Sequence, residues 1–222
     1  LTRTELSIMH EKIGEIVKVL GSHCLLIEYG SGSSTKTRLL LDHMPDLAAY
    51  VPIDISREHL LQSAEKLARA YPQIEILPVC ADYTNDFAIP TPQKRVEQRV
   101  AYYPGSTIGN FTPQAATHFL ASVARVVGNG GGLLIGVDLK KDCAILHRAY
   151  NDQQGITARF NLHLLERINH ELHANFHVKH FGHYAFYNPT IGRIEMHLVS
   201  QEKQVVQLGE EEIGFREGES IW

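Results

Sequence analysis

The chain has 222 residues, enough to bury a sizeable core, and its length points to one large domain or one domain with an appended cap, of which we read the second. Hydrophobic residues at 44% and charged residues at 21% lie near globular averages and exclude long disorder, a collagen-like repeat and a disulfide framework. The formal charge of -4, with Lys and Arg scattered rather than clustered, provides no basic face for a polyanion, so no nucleic-acid partner is expected. Cys24, Cys80 and Cys143 form no CxxC pair, and two of the three sit in apolar surroundings typical of buried free thiols, which fits a reducing cytoplasm. No apolar run approaches the roughly 20 residues needed to cross a bilayer, and residues 1–10 lack the charged and apolar regions of a signal peptide, so no membrane partner is expected. The first residue is not methionine and the last three are Ser220-Ile221-Trp222, so the natural chain is expected to extend at both ends.

In chain order, Ile8, Ile13, Ile16, Val17 and Leu20 recur at helical spacing, and Gly21 supplies a stop. Residues 24–29 form a short apolar strand that enters Gly30-Ser31-Gly32-Ser33-Ser34, after which 36–43 reads as helix up to Pro45. A second strand is expected over 50–54. A helix over 57–71 follows, with Leu60, Leu61, Ala64, Leu67 and Ala68 on one face. The third strand, 74–80, ends before Asp82, and the fourth, 99–103, before Pro104-Gly105. Residues 113–127 read as helix, and Gly130-Gly131-Gly132 leads into a fifth strand over 133–138. This alternation predicts an α/β, doubly wound, Rossmann-like parallel sheet. Beyond it the pattern changes to helices over 143–150 and 158–172 and a hairpin of 183–187 and 193–199 across Asn188-Pro189. We therefore expect residues 21–140 to be a cofactor-binding core, and 1–20 with 141–222 to be a smaller substrate-binding cap and closing strands.

Ligands of such sheets lie outside the carboxyl ends of the strands, so the residues that follow each strand carry the first functional expectations. Gly30 and Gly32 allow a tight turn, and the helix beginning near Ser34 would point its amides at an anionic group such as a carboxylate. Asp54 is placed to accept ribose hydroxyls, or else to cap the following helix. Asp82 and Tyr83 are placed to meet an adenine, the acid by its amino group and the ring by packing, or Asp82 is only a loop acid. The turn lacks the third glycine of a dinucleotide fingerprint and has Thr35 instead, which points away from a pyrophosphate. An acid, Glu28, at the end of the strand followed by GxG instead resembles the broad superfamily of S-adenosylmethionine enzymes.

Longer strings narrow this reading. Gly30-Ser31-Gly32-Ser33-Ser34-Thr35-Lys36-Thr37-Arg38, Gly105-Ser106-Thr107-Ile108-Gly109-Asn110, Ala149-Tyr150-Asn151-Asp152 and Ile194-Glu195-Met196 follow one another in an order that resembles the histidine Nα-methyltransferases of ergothioneine biosynthesis. The similarity runs over nearly the whole chain. It implies S-adenosyl-L-methionine held by Gly30, Lys36, Asp54, Asp82 and Tyr83, with Gly32 in the same turn. It also implies a small amino-acid substrate whose carboxylate is held by Asn110 and Tyr150, with Gly105 and Thr107 near its amine. From the residues alone, Asn110 could equally cap the helix at Pro113, and Tyr150 could be a half-buried cap. The resemblance puts the imidazole-gripping tyrosine before Leu1 and a Glu and a Ser after Trp222, so the substrate's side chain is not read within these residues.

The reaction implied is methylation of an α-amine by a monomer. The alternatives are methylation of another amino acid or an indole-bearing amine, or a silent S-adenosylmethionine-binding module. His163, His170, His173, His177, His180 and His183 form only short HxxH pairs with no completing acid or thiol, and no metal is expected.

Overall fold

A computed structural model describes residues 2–32 and 35–222 of the chain, which divide into two compact units, Leu1–Asp138 and Leu139–Trp222. The first unit runs α1 (Thr2–Leu20), β1 (Cys24–Tyr29), α2 (Thr35–His43), β2 (Ala49–Asp54), α3 (Arg57–Ala70), β3 (Glu75–Ile76), β4 (Val79–Cys80), β5 (Gln98–Tyr103), a 3₁₀ turn (Thr107–Asn110), α4 (Pro113–Val127) and β6 (Gly132–Ile135). All sheet pairings in it are parallel, in the order β3-β2-β1-β5-β6, with β4 also on β2. This is the doubly wound sheet expected from the βαβ alternation.

Alternate residues of each strand feed opposite faces. Leu26, Tyr50, Val100 and Tyr102 join Met9 and Leu20 of α1, Leu39 to Leu41 of α2 and Leu67 of α3 on one side. Leu25, Ile27, Val51, Ile53, Ala101 and Tyr103 meet Phe119 and Val123 of α4 on the other. β1 is buried along its whole length, as a central parallel strand covered on both faces must be. The α4 helix starts where Thr112 accepts from the Ala115 amide at 3.2 Å and Pro113 supplies a pre-set first turn. The order of strands reverses between β1 and β5, and the carboxyl ends of those two strands define the switch point where ligands of this architecture sit.

The expected third strand is broken in two. Pro78 has no amide to give to the ladder, so β3 pairs with Ala49 and Tyr50, β4 pairs with Ile53 and Asp54, and 77–78 bridges them. The first helix, grouped with the cap from sequence, packs within the first unit because Met9 and Leu20 bury into its core.

The second unit contains α5 (Cys143–Tyr150), α6 (Ile156–Leu172), β7 (Phe181–Asn188), β8 (Arg193–Ser200), β9 (Gln204–Leu208), β10 (Glu211–Phe215) and β11 (Ser220–Ile221). β7 and β8 form the expected hairpin, longer than read, with β11 on its far side, and β9 with β10 makes a second hairpin. Its core gathers Leu165, Phe176, Phe181, Leu198, Val206 and Phe215. Of the cysteines only Cys24 is buried, against the expectation of two, because Cys80 ends a short outer strand and Cys143 opens the first turn of α5. No described helix is long and apolar enough to cross a membrane.

Candidate functional site

The carboxyl ends of β1, β2, β4 and β5 bring the residues singled out from sequence, Tyr150 of the second unit excepted, to one edge of the first unit's sheet. β1 passes directly into Gly30 and Gly32, whose φ angles of 74° and 43° lie in the left-handed region that favours glycine. The Gly30 and Ser31 amides donate to the Ile53 carbonyl at 2.9 and 3.1 Å, which ties this turn to the end of β2. A Cβ added at Gly30 would lie 3.8 Å from Cε1 of Tyr83, so the Tyr83 ring flanks the turn. Ser33 and Ser34, where the helix was expected to begin, lie outside the described residues; α2 is described from Thr35.

Asp54 is the last residue of β2, and its Oδ1 accepts from the Ser56 amide at 2.9 Å. Ser56, not Asp54, is the N-cap of α3, and its side chain makes no capping hydrogen bond, so Asp54 ties down the turn that enters the helix from two residues before it. Asp82 follows β4 and is exposed; Oδ1 accepts from the Thr84 amide and hydroxyl and Oδ2 from Asn85 Nδ2. The Thr84 hydrogen bonds hold its carboxyl below the usual range, so it remains an anion at neutral pH. Asp82 thus does organise its own loop, as the plainer reading had it, while standing at the strand end with the Tyr83 ring beside it. Tyr83 packs edge-on to Tyr29 and Tyr103, with centroids 5.9 and 6.0 Å away.

Gly105, with φ 83°, turns the chain sharply after β5. A Cβ there would lie 3.4 Å from Lys36 Nζ and 3.5 Å from Thr107 Oγ1, so the ammonium and the hydroxyl both approach the space that a side chain would fill. Thr107 Oγ1 donates to the Pro104 carbonyl at 3.0 Å. Ser106 adopts φ 58°, rare outside glycine, and is held there because its amide donates to the Gly136 carbonyl and its Oγ accepts from the Asp138 amide, both at 2.9 Å. Asn110 ends the 3₁₀ turn and is exposed; Thr112 takes the α4 cap, which removes the capping role considered for Asn110.

Two acids lie beneath this edge, of which Glu28 was read from sequence only as the acid before GxG and Glu5 was not read at all. Glu5 of α1 forms an ion pair with Lys36. Glu28 of β1 is 2% exposed and accepts from Thr37 Oγ1 at 2.6 Å and Tyr50 Oη at 2.5 Å. Burial pushes the Glu28 carboxyl up to about 7, opposed by the Thr37 and Tyr50 hydrogen bonds and by the Lys36 charge. An acid before GxG was the available signal for Glu28; an acid in the first turns of a helix is too common to have marked Glu5.

In the second unit, Tyr150 is the half-buried last residue of α5. Its carbonyl meets His183 Nε2 at 2.9 Å, and the neighbouring Asn151 side chain pairs with both backbone groups of Ala185 at 2.9 and 3.3 Å. Asp152 accepts from the Ile156 and Thr157 amides and opens α6. The residue types fit S-adenosylmethionine: a cation for a carboxylate, an acid after β2 for a diol, and an acid with an aromatic ring after β4 for an adenine. Among the described residues no group of three His, Cys, Asp or Glu side chains is placed to hold a metal ion.

Residues 1–222 match the family described as histidine-specific methyltransferase, SAM-dependent. A histidine N-alpha-methyltransferase of Mycolicibacterium smegmatis is 39% identical over 226 residues, covering 99% of this chain and 69% of the relative. One of Mycobacterium tuberculosis is 40% identical over 211 residues, covering 94% of this chain and 64% of the relative, so the chain spans about two thirds of each. Ergothioneine biosynthesis protein 1 of Neurospora crassa is 32% identical over 174 residues, covering 76% of this chain and 20% of that protein. The chain belongs to the family of SAM-dependent, histidine-specific methyltransferases.

Proposed function

We propose that this chain methylates the α-amine of L-histidine, up to the trimethyl form, with S-adenosyl-L-methionine as donor, as a step of ergothioneine biosynthesis. The observation that supports this most is the approach of Lys36 to the Gly105 turn beside Thr107. Residues assigned to the donor and residues assigned to the acceptor amine come together there at the sheet's switch point. When bound, the cofactor supplies an activated sulfonium methyl to an unprotonated amine.

Lys36 meets the cofactor's carboxylate, Asp54 accepts from its ribose hydroxyls, Asp82 and Tyr83 receive its adenine, and Gly30 and Gly32 keep side chains out of its path. Gly105 and Thr107 hold the amine, and Asn110 and Tyr150 are assigned to the substrate's carboxylate. The α-amine, whose pKa is about 7.7 to 8.0 at a peptide's N-terminus and higher beside the free carboxylate of an amino acid, is brought down toward neutrality by burial, which disfavours its charged form. Orientation then carries most of the rate.

Initial rates of methyl transfer to histidine, to other amino acids and to histidinamide test the reading. Histidine is expected to be the best acceptor and histidinamide, which lacks the carboxylate, a poor one. Asn110→Ala and Tyr150→Phe should each lower kcat/KM for histidine by roughly 10- to 150-fold, the equivalent of about 1.5 to 3 kcal/mol for a hydrogen bond to a charged group. Equal rates on histidine and histidinamide would remove the carboxylate assignment. Faster methylation of an indole-bearing amine would replace the substrate.

A further inference from the structure

Glu5 is engaged through both carboxylate oxygens. Oε2 accepts from Lys36 Nζ at 2.5 Å and Oε1 accepts from the Gly105 amide at 2.9 Å. Both side chains of the pair are largely buried, Glu5 at 14% and Lys36 at 16% exposed, so the contact is shielded from the screening that weakens surface pairs. The seat also depends on what is missing at position 136: a Cβ on Gly136 would collide with the Glu5 carboxylate and approach the Gly105 amide to 3.1 Å. One side chain thus joins α1, the start of α2, the turn after β5 and the end of β6.

A lysine ammonium has three donors on a flexible four-carbon stem. With one donor committed to Glu5, the directions open to the other two are fixed, and the charge is held at the switch point rather than swept through solvent. We propose that Glu5 is a positioning residue for recognition of the cofactor's carboxylate, acting through Lys36 and the Gly105 turn. This rests on the reading of Lys36 as the group that meets that carboxylate. The same contact admits an opposite role, with Glu5 as an internal carboxylate that the ligand has to displace. The Gly105 amide and the space at Gly136 argue for a seat built for Glu5 itself, since a temporary occupant of Lys36 would need neither.

Calorimetric titration with two ligands separates these roles. S-adenosylhomocysteine carries the amino-acid tail, whereas 5′-methylthioadenosine has the same nucleoside without it. Glu5→Gln is expected to weaken S-adenosylhomocysteine by roughly 5- to 20-fold, less than the loss of a direct hydrogen bond to a charged group because Glu5 acts through Lys36, and to leave methylthioadenosine within about twofold. Lys36→Met should show the same selective loss, and the double variant should lose no more than Lys36→Met alone, because Glu5 acts through Lys36. Gly136→Ala keeps both charged residues but displaces the carboxylate, and should reproduce the Glu5→Gln ratio. Since each ratio is read on one preparation, a lower folded fraction cancels from it. An unchanged ratio in Glu5→Gln and Gly136→Ala overturns the proposal, as does equal weakening of both ligands. Tighter S-adenosylhomocysteine binding assigns Glu5 the occupant's role instead. An unchanged ratio in Lys36→Met removes the reading of Lys36 itself, which is a separate failure.

Discussion

Glu28 shows how one residue can carry a pH dependence into the whole fold. Fully desolvated in β1, its carboxyl is pushed from an ordinary 4.5 up to about 7, with the Thr37 and Tyr50 hydrogen bonds pulling the other way. A raised acid binds its proton more tightly in the folded chain than in the unfolded one. Its contribution is therefore fully present below about pH 4.5 and is lost as pH rises through about 7. At about 1.4 kcal/mol per pKa unit, the loss amounts to roughly 3 kcal/mol by pH 8. Glu28→Gln, which keeps an acceptor for Thr37 and Tyr50 but cannot ionise, should flatten that decline. Denaturant unfolding at pH 5 and pH 8 checks it, and an equal decline in both proteins would show that Glu28 is already ionised when folded. Legibility at this scale followed position along the strands. Gly30, Asp54, Asp82 and Gly105 stand at strand ends, which periodicity reveals. Glu5 depends on a contact with Gly105, 100 residues away, to which local spacing is blind.

Among the elements, the helices and central strands of the first unit were readable because each buries a regular apolar pattern, as Leu60, Ala64 and Leu67 do in α3. β9, β10 and β11 were not, because Gln204, Gln207, Glu211 and Glu212 interrupt any alternation and the pairing across each hairpin supplies what the pattern lacks. The β7 edge illustrates another kind of support. Asn151 Nδ2 donates to the Ala185 carbonyl and its Oδ1 accepts from the Ala185 amide, so one side chain does the work of a neighbouring strand at a fully buried residue. Asn151→Ala leaves both groups unpaired and should destabilise the second unit by about 1 to 3 kcal/mol. Hydrogen exchange at the Ala185 amide is expected to accelerate accordingly, with Asn151→Asp, which keeps only the acceptor, in between. Unaltered protection in Asn151→Ala would mean that solvent already satisfies those groups.

At the scale of the molecule, every residue assigned to the cofactor belongs to the first unit, on turns fixed by the ends of parallel strands. Addition of S-adenosylhomocysteine to the chain should therefore slow hydrogen exchange over 28–36, 54–57 and 81–84 and at Gly105. Exchange unchanged there would place the ligand elsewhere. The attachments of α1 have a consequence for synthesis. Its C-terminal carbonyl, at Leu20, accepts from Gln98 Nε2, 78 residues downstream, and Glu5 near its start accepts from the Gly105 amide, 100 residues downstream. Neither partner exists when the helix leaves the ribosome. At about 5 to 20 residues per second, the nascent helix waits for on the order of 5 to 20 s before its seat has been translated. Through that interval α1, whose Met9 and Leu20 end in the core beside Leu39 to Leu41 of α2, lacks both of these fastenings, so a segment made early is among the last to be fully seated.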